Sequence, residues 1–456
     1  MMARPLALTP LGGAREIGAN SYYLDLGGAG LLLDAGMHPK RSGREALPSY
    51  DAVHGDVDAI LVTHAHLDHV GAIPVALQRF PAAKVYMSAP TSLLAIRMLR
   101  NAVAVARTKN GDALYSHDHV EWVEQVALTQ ELGVTATLEA VGGHRPRITF
   151  FGAGHVLGAT GILVEHSGRR LFYTGDTCAT GQYICAPAHY PTPPVDLLLM
   201  DSTHGADPDP DLSRDRRSFG RATTELGRFI TEVARRGGSV LIPVFALGRS
   251  QEILGLLHEL SRRGRIPDLP LYVSGLSHAV CRLYDATRRA SERRRPSLRL
   301  EDLGYTILDT GRARDPDLLR RPSILAVSSG MMLSGTASNV LAQRMLSDPR
   351  HGLAFVGFLD PETPGARVAA ARQGDAVALG PGPGDPPVVE VAASVRQFGF
   401  TAHSRASQLI DLVRALQPRR TVLVHGDDEA VVTLRDRLAG LGFEVQVAEP
   451  RRAIEL

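Results

Sequence analysis

The stretch Thr63-His64-Ala65-His66-Leu67-Asp68-His69 decides the reading of this chain. It closes residues 58–63, a continuous apolar run of the kind expected of a strand covered on both faces. Three histidines and a carboxylate in so short a stretch make a metal-ligand density. His64 and His66 are two apart, so in extended backbone both rings point to one side. Asp68 is placed to begin a helix, so Asp68 and His69 leave the turn in another direction. One loop can thus feed two adjacent ions. A polar loop with incidental histidines does not account for the order His-x-His-x-Asp-His behind a buried strand.

Outward from this loop, short apolar segments alternate with glycine turns and helices. Residues 30–34 read as a strand ending in Asp34, and residues 147–151, 161–165, 170–174 and 195–200 as further strands. Residues 88–105 have helical apolar spacing. After His204 the pattern changes. An Asp-Pro linker at 206–211 precedes a long amphipathic helix over 216–236, stopped by Gly237-Gly238. Strand–helix alternation follows: strands at 239–243, 271–274, 323–328 and 353–358, helices at 250–263 and from Ser277. This predicts a parallel α/β unit of its own. A Pro/Gly run at 380–387 marks a border. Beyond it come a strand at 388–397, a helix at 404–416 and a strand at 421–425.

The chain has 456 residues, with 50 Lys+Arg against 48 Asp+Glu and a formal net charge of +2. Its hydrophobic share, 44%, is that of globular proteins, and at roughly 100–200 residues per domain it predicts two to three domains. Disorder as the main state is excluded. The near balance of charge excludes a protein that coats nucleic acid with its whole surface, so a polyanion site must be a local patch. Lysine occurs only at Lys40, Lys84 and Lys109, so phosphate contacts here are expected from arginine. Cys178, Cys185 and Cys281 form no disulfide framework and fit a reducing, cytoplasmic compartment. No apolar segment reaches signal-peptide or membrane-span length, so no membrane partner is expected.

Further along stand His155 in Gly152-Ala-Gly-His-Val-Leu-Gly158, Asp176 in Tyr173-Thr-Gly-Asp176, Asp201 in Leu197-Leu-Leu-Met-Asp-Ser-Thr203, His403 in Gly399-Phe-Thr-Ala-His403, and His425 in Val422-Leu-Val-His-Gly-Asp427. The 63–69 run resembles the signature of the metallo-β-lactamase superfamily. The whole series, with its long insert between Asp201 and His403, resembles the β-CASP nucleases, the group of the polyadenylation-factor endonuclease and RNase J. The resemblance spans nearly the whole chain. It implies an α/β fold: a four-layer αββα metallo-β-lactamase core with an inserted parallel α/β β-CASP domain. The expected division is 1–204 (core), 205–387 (insert) and 388–456 (core again).

The resemblance also implies two Zn²⁺ per chain, one held by His64, His66 and His155, the other by Asp68, His69 and His425, with Asp176 bridging. Nitrogen and carboxylate donors suit zinc, and Mn²⁺ is chemically compatible because oxygen donors are present. Two ions about 3.5–4 Å apart lower the pKa of a bridging water and clamp a phosphodiester for in-line attack by the bridging hydroxide. His403 is the acid the family offers to the leaving oxygen, with Asp201 orienting and charging its ring. Asp34, which props the histidine loop in the family, is grouped with them as catalytic.

The implied function is a ribonuclease acting on single-stranded RNA. His425 favours RNA, since DNA-repair relatives carry an apolar residue there. Endonuclease is preferred to 5′-exonuclease. The chain ends soon after His425, without the C-terminal extension of RNase J, and Asp34 comes too early for the N-terminal KH domains of archaeal relatives. A homodimer rests on family analogy alone. The alternatives are a DNA nuclease, a 5′-exoribonuclease and a non-catalytic scaffold; the complete ligand series weighs against the last. The chain departs from the family pattern in Asp201, where many relatives have glutamate, in His204-Gly205 where an aromatic-Gly pair is common, and in the loop 176–190.

Two turns are candidate substrate contacts. Ser328-Ser329-Gly330 follows a strand, and its backbone N–H groups can cradle a phosphate or simply make a tight turn. Arg249 in Gly248-Arg249-Ser250 is a phosphate contact or a structural ion pair. The remaining histidines, His204 and the His117-Asp118-His119 pair included, read as surface or satisfied core groups. Asp25, Asp56 and Asp58 read as turn residues, and Cys178 as a small packing residue. The arginine-rich run 288–299 reads as solvated surface, with phosphate binding as the alternative.

Overall fold

The computed structural model describes residues 6–108, 113–139, 144–208, 212–380 and 387–456. The Pro/Gly run 381–386 and the end of the Asp-Pro linker, 209–211, lie outside them. Two seven-stranded sheets form the core. The first runs Ile454–Glu455, Ala7–Gly12, Ser21–Asp25, Gly30–Leu33, Ala59–Leu61, Lys84–Met87 and Ala127–Thr129. The second runs Val445–Val447, Arg420–Val424, Leu197–Asp201, Arg169–Tyr173, Thr160–His166, Arg147–Gly152 and Thr135–Thr137.

Strand alternation explains the layering. Leu31, Leu33 and Leu61 of the first sheet pack between the sheets on Phe150, Ile162, Tyr173 and Leu199 of the second. Their neighbours Leu32, Ile60 and Val62 face outward onto Leu94 and Leu99 of the helix Ala89–Thr108. On the far side, Phe172, Leu198, Met200 and Leu423 meet the helices Ala406–Leu416 and Asp428–Gly440. Helix, sheet, sheet and helix give the four layers. Each fully buried leucine or phenylalanine contributes about 1.5–3 kcal/mol to holding them together.

The insert is a six-stranded sheet, ordered Thr306–Leu308, Leu271–Ser274, Ile324–Val327, Val240–Pro243, Gly352–Phe355 and Ser394–Gln397. Every pairing in it is parallel. The chain leaves the core after Asp201 and returns before Ala406, and the two crossings lie side by side at a bridge between His204 and Arg405.

The expected strand over 388–397 is two strands. Val388–Glu390 pairs with Ala376–Ala378, whereas Ser394–Gln397 joins the insert's sheet beside Gly352–Phe355. By sheet membership Ser394–Gln397 thus stays with the insert's sheet. The strand expected to reach Phe358 ends at Phe355, leaving Phe358 54% exposed at its end. The arginine-rich run is not a solvated surface throughout. Arg294 and Arg295 donate to the carbonyls of Gln182 and Tyr183 (3.1 and 2.5 Å), and the Arg295 guanidinium lies 3.7 Å over the Tyr183 ring. These arginines clamp the insert onto the 176–190 loop of the core. From the other side Glu252 accepts the backbone N–H groups of Ile184 and Cys185 (2.7 and 3.0 Å). Among the described residues no helix is long and apolar enough to cross a membrane.

Candidate metal centre

In both core sheets, parallel strands end on one edge, where an α/β layer builds its sites. Asp34 and Thr63 follow two strands of the first sheet; Asp176, Asp201 and His425 end or follow strands of the second. Asp34 and His425 both have left-handed backbone (φ 60° and 49°), an uncommon conformation that turns each side chain off its strand.

The turns bring the donors together. His64 Nε2 and His155 Nε2 each lie 3.1 Å from His66 Nδ1. Asp176 Oδ2 stands 3.5 Å from His64 Nε2 and 3.4 Å from His155 Nε2. The other Asp176 oxygen, Oδ1, lies 3.2 Å from His69 Nε2. Asp68 Oδ2 is 3.6 Å from His69 Nε2 and 3.4 Å from His425 Nε2. The structure therefore gathers the predicted residues into two donor groups, His64/His66/His155/Asp176 and Asp68/His69/His425, with the Asp176 carboxylate facing both.

These groups fit metal ions better than they fit one another. Imidazole nitrogens at 3.1 Å with their lone pairs facing a common point are not mutually satisfied. Asp176 Oδ1 is a buried oxygen without a hydrogen-bond partner. A buried polar atom left bare costs about 1–3 kcal/mol, which a cation would offset.

Each of the five histidines has its other nitrogen fixed, which sets the tautomer and aims the free nitrogen at the cluster. The Thr63 hydroxyl donates to Asp34 (2.8 Å), so its oxygen accepts from His64 Nδ1 (3.1 Å). The Thr203 hydroxyl donates to Asp201 (2.7 Å) and accepts from His425 Nδ1 (2.9 Å). His155 Nδ1 donates to the Ala402 carbonyl (3.0 Å) and His66 Nε2 to the Leu247 carbonyl (3.4 Å). His69 Nδ1 donates to Asp34 (2.7 Å). Leu247 belongs to the insert and Ala402 to its return, so the insert helps to build the centre.

Asp34 is fully buried. It also accepts the Thr63 N–H (2.7 Å) and the Tyr173 hydroxyl (2.9 Å). Its hydrogen bonds to Thr63, His69 and Tyr173 make it a positioning group for the histidine loop.

Asp201 and His403 do meet: Oδ2 accepts from His403 Nδ1 at 2.9 Å, so the shorter aspartate arm reaches. Thr177 N–H and Thr203 N–H hold the same carboxylate (3.3 and 2.9 Å). His403 Nε2 then points inward, 4.0 Å from Asp176 Oδ2.

Burial sets the charge states. It lowers His64, His155 and His66 below the ordinary histidine value, keeping them neutral as ligands must be. Burial opposes charge on His69 too, but Asp176, Asp68 and Asp34 outweigh it and raise the ring's affinity for positive charge, which a cation at Nε2 would supply in place of a proton. The surrounding histidines hold Asp176 far below the usual carboxylate range against its own desolvation.

Gly248, ahead of Arg249, lies beside the centre; a side chain added there would sit 4.0 Å from His66 Nε2. Arg249 itself is mostly buried, which lowers its pKa, with Glu252 the leading opposing charge. No carboxylate lies within ion-pair distance of it among the described residues. Ser328-Ser329-Gly330 is at the same end of the insert's sheet: Gly330 is packed against Phe245 so closely that a Cβ would meet its nitrogen at 2.9 Å. Ser328 Oγ and Ser329 Oγ are already engaged with Ser274 Oγ and Leu333 N–H (both 2.9 Å).

Sequence reading missed several supports. Thr63, Thr203, Leu247 and Ala402 act through a hydroxyl or a carbonyl, with no distinctive residue type. His204, read with the surface or satisfied histidines though it lies three residues after Asp201, contacts Thr401 Oγ1 (2.9 Å), which in turn accepts the His403 N–H (3.0 Å). Cys178 is a packing residue, its thiol pushed up to about 11 by burial. His119 caps its own helix through Ser116.

A two-sheet core with a bridged pair of donor groups defines a metal-dependent hydrolase. Family models match three consecutive parts of the chain: the metallo-beta-lactamase superfamily at residues 14–200, the Beta-Casp domain at 250–368, and the Zn-dependent metallo-hydrolase RNA specificity domain at 388–448. A Thermus thermophilus protein named as a ribonuclease is 31% identical, over 97% of this chain and 98% of its own length. Endoribonuclease YSH1 of Mycosarcoma maydis is 29% identical over 98% of this chain, which spans 50% of that protein. A crystal structure of a protein of unknown function from Enterococcus faecalis superposes with a TM-score of 0.58 over 99% of this chain and 100% of its own at 13% identity, a likeness of fold alone. The chain belongs to the β-CASP nucleases of the metallo-β-lactamase superfamily.

Proposed function

We propose that this chain is a ribonuclease that cleaves single-stranded RNA internally, with two zinc ions held by His64, His66 and His155 and by Asp68, His69 and His425, and with Asp176 between them. The observation that carries the reading is the Asp201–His403 pair set against the donor cluster, with His403 Nε2 4.0 Å from Asp176. Bound there, the ions would supply Lewis acidity, arming water for in-line attack on phosphorus and neutralising the phosphate oxygens. The residues do the rest. Asp201 fixes the His403 ring by accepting from Nδ1, which aims Nε2 to hand a proton to the departing oxygen. Asp34, Thr63 and Thr203 hold the ligand rings in one orientation. Arg249 and the Ser328-Ser329-Gly330 turn, on the neighbouring edge of the insert, are placed to receive flanking phosphates. The RNA specificity domain match and the relatives' names favour RNA over DNA, and the Mycosarcoma name favours internal cutting.

Purified full chain on 5′-labelled RNA and on DNA of the same sequence tests this. Internal RNA fragments are expected, with cutting reduced about 10²–10⁴-fold in His403→Ala at unchanged metal content. His64→Ala is expected to lose metal and activity together. Single nucleotides as the first product, equal cutting of DNA, or full activity in both variants would overturn the reading.

A further inference from the structure

Away from the metal centre, an open groove of about 880 Å³ separates the helix Ala89–Thr108 of the core from the helix Gly275–Ala286 of the insert. None of the metal-centre residues lines it. Six arginines do: Arg97, Arg100, Arg282, Arg288, Arg289 and Arg299. Three of these have carboxylate partners: Arg100 with Glu124 (2.6 Å), Arg282 with Glu301 (3.4 Å) and Arg299 with Asp302 (3.6 Å). Among the described residues Arg97, Arg288 and Arg289 have no carboxylate within about 4 Å, the reach of an ion pair. The nearby carboxylate of Asp285 is taken up by the N–H groups of Leu300 and Glu301, both at 3.0 Å. The groove thus holds a surplus of positive charge.

Arg97 is the second observation. It stands mid-helix, and its Nε is buried without a hydrogen-bond partner. The C-terminal end of a helix attracts cations, which accounts for arginines just past Ala286. It does not account for Arg97. Three guanidinium groups left without counter-charge, Arg97 on one helix and Arg288 and Arg289 in the turn just past the other, match an anion with several phosphates, and guanidinium forks bind phosphate in pairs of hydrogen bonds.

Both walls are fastened to the loop that carries His155. Thr91 Oγ1, at the start of the first helix, donates to the Gly158 carbonyl (2.8 Å). Tyr284, on the second, accepts the Leu157 N–H through its hydroxyl (3.2 Å). Arg97 is six residues beyond Thr91, about 9 Å along the axis at 1.5 Å per residue. Arg97 therefore stands one to two helical turns from the contact that ties this wall to Gly158.

We propose that this groove is a second anion site, which takes the phosphate backbone of single-stranded RNA outside the segment being cut. The proposal rests on the ribonuclease reading for its ligand, but its test does not depend on cleavage. In the zinc-loaded His403→Ala chain, binding of a long single-stranded RNA is measured across salt concentrations. Adding Arg97→Glu, Arg288→Glu and Arg289→Glu is expected to weaken binding at least tenfold. The salt slope should fall by about 2, at roughly 0.7 for each single-strand phosphate no longer neutralised. The same three positions changed to lysine should retain most of the binding, which separates charge from folding damage. In the chain with His403 intact, KM for an RNA of a few nucleotides should be unaffected by the glutamates. Unchanged affinity and slope for long RNA, or equal weakening for long and short RNA, would overturn the proposal. So would arginine-dependent binding of tripolyphosphate without any arginine dependence for RNA. A chain that binds long RNA through these arginines yet cuts no RNA would uphold the groove and sink the ribonuclease reading.

Discussion

Asp34 carries four hydrogen bonds in a site with no water-facing surface, which makes it a sensitive single position. Asp34→Ala leaves His69 Nδ1, the Tyr173 hydroxyl and the Thr63 hydroxyl and N–H short of a partner. Removing one partner from such a buried network costs about 3–5 kcal/mol. The loosened His69 ring should also cost about 10–100-fold in metal affinity, as removal of an orienting partner does. Urea unfolding and a zinc titration check the two effects separately, and Asp34→Asn should recover part of both. The donor residues that the structure gathers were legible in the sequence because four of them sit in a single run and the others follow strands with glycine-marked turns. Thr203 was not: a threonine acts here through one hydroxyl that gives to Asp201 and receives from His425, and its sequence neighbourhood does not show the second partner.

Within the insert, His351 links two strands. It is 2% exposed, and its Nδ1 accepts the Ser239 N–H at 3.0 Å, just before the strand Val240–Pro243. Accepting requires an unprotonated Nδ1. Burial lowers the ring's pKa, reinforced by Arg350, Arg236 and Arg344 and opposed by Asp348. The unfolded chain, with histidine near about 6.5, then binds the proton more readily than the folded one. The stability this ring contributes is present above that value and is lost as pH falls below it. Comparison with His351→Asn, which keeps an acceptor and cannot titrate, isolates the effect. The wild type should lose its advantage in urea midpoint between about pH 7.5 and 5.5, either side of the unfolded histidine's pKa, and an unchanged difference would refute the assignment. Element existence was largely readable from apolar period and glycine stops, and the strand Leu271–Ser274 falls where periodicity places it. The segment 388–397 was misread because Val391–Ala393 is apolar enough to continue a strand, while its backbone turns to bond Asp375 and Leu346 instead.

At the scale of the whole molecule, core and insert are one machine. Leu247 and Ala402 brace His66 and His155, and Glu252 takes two N–H groups from the 176–190 loop. Glu252→Ala orphans both donors in a buried interface, at about 1–3 kcal/mol each. The expected outcome is an unfolding curve whose insert and core transitions separate, and a lower metal affinity at His66. Coincident transitions at the wild-type midpoint would show that the contact couples nothing. The arginine-rich run was misjudged from sequence for the same reason: its partners, the Gln182 and Tyr183 carbonyls, lie 112 positions away. The bridge between His204 and Arg405 gives the lobe a narrow neck whose two strands stand shoulder to shoulder. Splicing a foreign module into a far loop of the lobe, or trimming one, is therefore expected to leave the spacing of Asp201 and His403 untouched, so the lobe's outer outline is free to vary while the pair at its root keeps its geometry.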